Sequence, residues 1–264
     1  MTAAILLAAT TSAFDRVVAA ERAFAAASIK VGYHAAFAAA FAPDGVVFDP
    51  APTNARAKHE GKPRADAVLA WAPAWAAVSP AGDLGFTSGP WEYRGPEGKP
   101  PATGWFFTAW RKQADGSWKV EADLGIDAAL TYAAPGEVED ALRDAPSSKP
   151  TPAAAAQARL AVVHAEQLLA HAAESGLGPA IAAVSDRSIR VYRDGEPLGG
   201  SALLAADTRR MRCEAARVTA SSSGDLAYAY GSCADPKKDK KSGYVRVWRR
   251  DPDGHWLVFV DVTP

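Results

Sequence analysis

The chain repeats itself. Trp110-Arg111-Lys112-Gln113-Ala114-Asp115-Gly116-Ser117-Trp118 returns as Trp248-Arg249-Arg250-Asp251-Pro252-Asp253-Gly254-His255-Trp256, with Trp, Arg, Asp, Gly and Trp identical at one constant offset. The same offset relates Asp123 to Asp261, and Gly82-Asp83-Leu84 returns as Gly224-Asp225-Leu226 at an offset four residues longer. A shorter hairpin in the second copy accounts for that drift. Ordered self-similarity is read before any fold, because it sets how many times the architecture is built. A length of 264 residues accommodates two units of ordinary domain size.

Each block has a physical reading. Trp105 to Arg111, then Asp115-Gly116, then Trp118 to Asp123 is strand, turn, strand: Asp-Gly accepts the positive φ of a tight turn, and aromatic and β-branched residues flank it. The second copy repeats this over Tyr244 to Arg249, Asp253-Gly254 and Trp256 to Val262. The Gly-Asp blocks turn another hairpin, with Phe86 to Tyr93 and Tyr228 to Ser232 in the outgoing strands.

Ahead of the strands each copy begins helical. Phe14, Val17, Val18, Glu21, Phe24 and Ala25 recur at helical spacing, as do Leu160, Val163, His164, Leu168 and His171. Short helices are predicted at His34 to Phe41 and Pro179 to Val184, strands at Val46 to Asp49 and Ile189 to Arg193, and third helices at Arg64 to Trp71 and Ser201 to Ala206. Helix, helix, strand, helix, then four strands, twice over, is an α+β pattern with a mostly antiparallel sheet in each half. Residues 133–156, rich in proline and serine, read as an exposed linker with a turn of helix at Glu137 to Arg143. The expected division is a first domain over 14–132, the linker, and a second domain over 157–264. Residues 1–13 hold an apolar run, Ala3 to Ala9, before small residues; it reads either as a secretory-signal remnant lacking its basic leader or as the start of the first helix.

Composition narrows the partners. Lys+Arg is 29 against Asp+Glu 30, so no basic surface is available to neutralise a row of phosphates, and nucleic acid is not expected. No apolar run is long enough to span a bilayer. No phosphate-binding glycine loop, zinc spacing or activated-serine motif is present, so neither cofactor nor metal is expected.

The element order and the terminal Trp–Arg–Asp-Gly–Trp–Asp hairpin resemble the ketosteroid-isomerase/SnoaL-like superfamily, which has the nuclear-transport-factor-2-like cone fold. The resemblance is greatest to its branch of domains of unknown function, often found in exported bacterial proteins. It covers both halves apart from the linker and the first dozen residues. It implies a strongly bent sheet wrapped around the first helix of each copy, leaving a conical cavity open at one end. It implies further that the two copies pair through their sheets as an intramolecular pseudo-dimer. Members include isomerases, dehydratases, epoxide hydrolases, polyketide cyclases and non-enzymatic binders, so the fold does not set the function.

Enzymes of that superfamily hold acids, tyrosines or histidines in the cavity with shifted pKa values. No such set can be placed residue by residue here, so no catalytic residue is assigned. The nearest to candidates are Asp261, His164, Tyr228 and Tyr230. Asp261 and Asp123 project from the final strand of each copy. Beside Leu257 and Phe259, Asp261 is expected either to have a raised pKa and act as a base, or to cap a loop or pair with an arginine. His164 and His171 are too far apart on their helix to share a metal, and they are read as facing the second cavity. His34, Trp105, Tyr192, Tyr228 and Tyr230 join them as ligand-pocket candidates, while His59 is read either as a loop residue or as standing at the cavity mouth, and His255 as solvated. Lys237 to Lys241 reads as a solvated loop or, alternatively, as a contact with an anionic surface.

Cys213 and Cys233 lie equally far from Ser223, the centre of a Ser-Gly-Asp turn, and therefore stand opposite each other in a symmetric hairpin. A cross-strand disulfide is expected in an oxidising compartment, and two reduced buried thiols in the cytosol. Trp71 and Trp91 occupy the equivalent positions of the first copy. The leading functional expectation is a bacterial envelope or secreted protein, periplasmic or exported, that binds a small apolar molecule in one or both cones. The alternatives are a cofactor-free acid–base lyase, isomerase or hydrolase, and a structural pair with vestigial pockets.

Overall fold

The computed structural model describes residues 11–96, 100–143, 149–236 and 240–264. The apolar run at 3–9, part of the linker at 144–148 and Lys237 to Asp239 of the lysine-rich loop lie outside the described residues.

The fold class is α+β. In the first half, α1 (Ala13–Val31) and α2 (Tyr33–Ala40) precede β1 (Phe41–Phe48), β2 (Pro52–Asn54) and α3 (Ala55–His59). The strands β3 (Val68–Trp71), β4 (Trp75–Val78), β5 (Leu84–Arg94), β6 (Ala102–Lys112), β7 (Trp118–Asp127) and β8 (Glu139–Asp140) follow. The second half runs α4 (Pro152–Ala173), α5 (Leu177–Ala182), β9 (Ser185–Tyr192), α6 (Ser201–Ala206), β10 (Arg212–Ala220), β11 (Leu226–Asp235), β12 (Lys240–Arg250) and β13 (Trp256–Val262). The first sheet has the order β2-β1-β7-β6-β5-β4-β8 with β3 also on β5, and the second the order β10-β11-β12-β13-β9. In both, the strand that follows the opening helices lies parallel to the last long strand, and the other long neighbours are antiparallel.

Local chemistry sets the helix ends. Ser12 and Asp15 form a capping box at the start of α1, and Thr151 caps α4 with a proline in its first turn. Both repeated hairpins turn on a glycine with positive φ, Gly116 at 84° and Gly254 at 92°.

Two expectations about elements change. Residues 68–71 are a strand rather than the end of a third helix: beyond Gly89 the edge of β5 still needs partners, and Val68 to Trp71 supply them against Arg94 to Trp91. Inside the stretch read as a linker, Glu139 and Asp140 pair in parallel with β4 instead of forming a helical turn, and Ala141 and Leu142 pack against the core. Helix α4 also begins within that stretch.

The two halves share a one-residue irregularity in their last strands. Val120 pairs with Trp110 but Ala122 with Ala109, which leaves Glu121 as an extra residue. In the same way Val258 pairs with Trp248 and Val260 with Val247, leaving Phe259 extra. Such a bulge breaks the two-residue alternation of faces. Val120 therefore packs with the helices of the first half while Ala122 and Leu124 point the other way.

A second shared irregularity lies in the preceding hairpins. A Cβ on Gly89 would fall 2.0 Å from the Ala72 carbonyl oxygen, and one on Gly231 equally 2.0 Å from that of Glu214. Only glycine permits this approach. Past these points Trp71 stands opposite Trp91, and Cys213 opposite Cys233. The cysteines are bonded, with Cα atoms 4.0 Å apart.

Three apolar clusters follow from these faces. One joins α1 and α2 to the inner face of the first sheet, and another joins α4, α5 and α6 to the second. The third lies between the sheets, where Phe86, Phe107 and Leu124 meet Tyr228, Val247 and Phe259.

Candidate functional site

The inner face of the first sheet is not completely filled. A cavity of about 540 Å³ lies between α2, α3 and strands β3, β5, β6 and β7, and it is walled by Tyr33, Phe37, Phe48, Leu69, Trp71, Trp91, Tyr93 and Phe106. Its polar members are Lys58, His59 and Asp123. The bulge at Glu121 is what turns Asp123 inward. Without that extra residue the alternation would put Asp123 on the face of Glu121, whose carboxylate meets Tyr228 between the sheets.

Asp123 receives a hydrogen bond from Thr108 Oγ1 at 2.7 Å. Burial pushes its carboxyl up to about 7, the Thr108 hydroxyl opposes that rise, and the like charge of Glu21 adds to it. Glu21, on α1, is completely buried. Its Oε1 accepts from Trp71 Nε1 at 2.6 Å, and its Oε2 accepts from Thr87 Oγ1 and from Trp110 Nε1 at 3.0 Å. Burial raises its pKa against these hydrogen bonds. At the mouth, His59 Nδ1 lies 2.8 Å from His34 Nδ1, so a single hydrogen lies between the rings. Burial, helped by His34 and Lys58, lowers His59 to about 4. The indole Nε1 of Trp91 is buried without a partner.

The second half has the same frame and the opposite filling. Glu166 on α4 accepts from Trp248 Nε1 at 2.6 Å, Tyr244 Oη at 2.8 Å and Arg246 Nη1 at 2.8 Å. Arg246 Nε also donates to Asp261 Oδ1 at 2.7 Å, and Arg193 Nη1 to Asp261 Oδ2 at 2.6 Å. Burial pushes the Asp261 carboxyl up, but Arg193 and Arg246 outweigh it and hold the group below its ordinary value. Of the two roles expected for Asp261, the raised-pKa base is therefore overturned and the arginine partner is found. A broader groove of about 1050 Å³ runs between α4 and β10, where alanines of both elements are joined by Arg159, Glu166, Glu214 and Arg217 and by Arg111 and Glu121 of the first half. Chemistry favours the smaller cavity, because the Glu166 carboxylate bordering the groove is already engaged by three donors.

Most pocket candidates lie elsewhere than expected. His164 and His171 are exposed, because the buried stripe of α4 is Ala158, Val162, Glu166, Leu169 and Ala173. A carboxylate belongs to that stripe, and the apolar Leu160 and Leu168 do not. Tyr192, Tyr228 and Tyr230 are buried in the layer between the sheets, and Trp105 packs against it. There Tyr192 Oη accepts from Trp75 Nε1 at 2.9 Å, and Tyr228 Oη donates to Glu121 Oε2 at 2.7 Å. His34 stands beside the cavity through its contact with His59. His59 is buried on α3 rather than in a loop, and His255 is exposed as expected. Sequence reasoning passed over Glu21, Thr108 and Trp91 as site residues. The hairpin offset itself held a signal, since it sets Thr108 against Arg246.

No family model and no curated protein sequence matches the chain. Several solved structures are similar to part of it. A ketosteroid isomerase-like protein from Erwinia carotovora atroseptica is 18% identical over 45% of this chain and 98% of its own, with a TM-score of 0.35. An NTF-2 like protein of unknown function from Shewanella oneidensis is 14% identical over 42% of this chain and 96% of its own, with a TM-score of 0.34. A conserved protein from Planctomyces limnophilus is 12% identical over 42% and 94%, with a TM-score of 0.31.

Proposed function

We propose that the first half binds a small, flat, largely apolar molecule in its cone and exchanges a proton with it through Asp123, without a cofactor. One observation carries this reading: a carboxyl with a pKa of about 7 lines an aromatic cavity, poised to take or give a proton at neutral pH. The unpartnered Trp91 indole N–H supports a bound molecule that offers an acceptor oxygen. The reaction class is isomerisation, elimination or hydration begun by proton transfer at the bound molecule.

The test starts from whatever small molecule co-purifies, identified by native mass spectrometry. Its carbon-bound hydrogens are then followed for exchange with deuterated solvent. Wild type exchanges one of them, and Asp123→Asn still binds but exchanges about 10²–10⁴-fold more slowly. Equal exchange by both proteins sinks the proton-transfer role. A binding role without turnover is the second reading, favoured by the aromatic lining, and it is the outcome if wild type binds but exchanges nothing.

The second half serves as the partner of the first. Arg246, Arg193 and Tyr244 fill the place of the cavity, which supports a vestigial second pocket, and the apolar layer between the sheets supports an intramolecular pseudo-dimer. Two copies from one duplicated ancestor account for the matching strand orders and bulges. The disulfide supports a periplasmic or secreted location. Two free thiols per chain in protein taken from its native compartment would remove that support. No described helix is long and apolar enough to cross a membrane.

A further inference from the structure

The two sheets end differently at equivalent edges. In the first, the outer edge of β4 is covered by β8, which lies parallel to it: Glu139 N donates to the Ala74 carbonyl at 3.0 Å and Ala141 N to the Ala76 carbonyl at 2.9 Å. The offset that relates Gly82 to Gly224 places Ala74, Trp75 and Ala76 on Ala216, Arg217 and Val218 of β10. The strand registers agree, since Ala77 faces Phe86 as Thr219 faces Tyr228. Among the described residues no strand lies on the outer side of β10, which ends the order of the second sheet. Burial shows the same difference. Trp75, Ala76 and Ala77 are buried, whereas no residue of Arg212–Ala220 is.

The groove of about 1050 Å³ lies along this bare edge, lined by every residue from Cys213 to Ala220 and, on α4, by Ala155, Arg159 and Val163. Unpaired backbone groups on an edge are a template for a further strand. We propose that the outer edge of β10 takes up an extended segment of a partner protein, added in parallel as β8 is added to β4, with an acidic residue followed by small apolar ones. Its N–H groups donate to the carbonyls of Ala216 and Val218, the counterparts of those that receive Glu139 and Ala141. Sequence preference comes from the side chains. Glu139 stands opposite Trp75, so the matching residue of the incoming segment stands opposite Arg217. Arg217 shares its charge with the exposed Asp44, and Arg159 across the groove forms no ion pair with the described residues. Opposite charges at facing positions favour an acid there. The apolar residues follow the example of Ala141 and Leu142, which pack against the core.

The length of the segment is set by the two ends of the edge. Charged Arg212 and Glu214 and the irregularity between Ala215 and Arg217 guard the near end, as edge strands are commonly guarded. At the far end Arg111 Nη2 donates to the Ala220 carbonyl at 3.3 Å. Between them lies a short regular run, and its counterpart in the first half is the run that β8 covers. The site is separate from the first cone and does not depend on the activity proposed there.

The probe is a synthetic peptide of residues 136–143, Gly-Glu-Val-Glu-Asp-Ala-Leu-Arg, added to the full chain with its disulfide intact. Hydrogen exchange read by NMR should slow about tenfold or more at the Val218 amide and stay unchanged at Ala76, which β8 already covers. Methylating the peptide nitrogens that correspond to Glu139 and Ala141 should abolish the effect, and methylating that of Asp140, whose N–H points the other way along a strand, should not. Arg217→Glu should weaken binding about threefold or more. Val218→Pro removes an outward N–H from an edge strand and should abolish binding. If that variant does not fold, the methylated peptides decide. No slowing at Val218 with the peptide at millimolar concentration, equal slowing by the peptide methylated at Glu139 and Ala141, or unchanged affinity in Arg217→Glu overturns the proposal. So does a Val218 amide already protected without peptide in a chain that sediments as a dimer, which would assign the edge to a second copy.

Discussion

Thr108 and Arg246 occupy the same position in the two halves, each two residues before a hairpin tryptophan, and each donates to the end-strand aspartate of its own half, Asp123 and Asp261. A hydroxyl in one and a guanidinium in the other separate a near-neutral acid from a buried ion pair. Thr108→Arg should therefore give the first half the character of the second. The Asp123 midpoint should fall from about 7 to below the usual carboxylate range, and binding of any cavity ligand should be lost. Carboxyl NMR and a binding isotherm check the two outcomes.

Asp123 also marks the pH dependence of stability. Its folded pKa of about 7 lies above the ordinary 3.8, so its contribution is fully present below pH 3.8 and is lost as pH rises to about 7. His59 acts in the opposite direction: lowered from 6.5 to about 4, it weakens the fold as pH falls through that window. Comparing Asp123→Asn with wild type isolates the first effect. The stability of the variant relative to wild type should grow between pH 4 and 7 and then level off, as read by urea denaturation at each pH. A constant difference would show that Asp123 titrates normally.

Arg246→Ala should destabilise the chain by about 3–5 kcal/mol, because Glu166 and Asp261 would remain buried with one cation fewer. Adding Glu166→Gln and Asp261→Asn to that variant should recover part of the loss. Chemical denaturation of the single and triple variants is the measurement.

Replacing Cys213 and Cys233 with serine should lower stability by about 2–4 kcal/mol, as expected for a closed loop with a sequence separation of 20. The cavity lies in the other half, so ligand binding at temperatures well below unfolding should be unaffected. Reduction of the native protein should reproduce the loss.

What was legible in the sequence was whatever depends on turns and on position along a hairpin. The paired Asp-Gly turns, the outgoing strands and the placing of Cys213 against Cys233 and Trp71 against Trp91 all follow from that. What was not legible depends on side-chain direction. Bulges at Glu121 and Phe259 change which residues face the helices, so Asp123 and Asp261 cannot be assigned surroundings by alternation. On α4 the stripe chosen by counting apolar residues contained Leu160 and Leu168, both exposed, while the true stripe includes Glu166, which the tryptophan, tyrosine and arginine around it make compatible with burial. Glu21 was hidden for the same reason: its role exists only once Trp71, Thr87 and Trp110 have been brought to it from three strands.

The apolar layer between the sheets has a consequence for how such a pocket can change over time. An assembly of two identical chains is written once, so any substitution that opens one pocket opens the other, and a residue that plugs one plugs both. Here each pocket has its own stretch of sequence. The first half carries Thr108 and the second Arg246 at the matching place, and neither residue has to be tolerated in both. Because the covering sheet belongs to the same chain, it also cannot dissociate on dilution, so occupancy of the first cone should not vary with protein concentration.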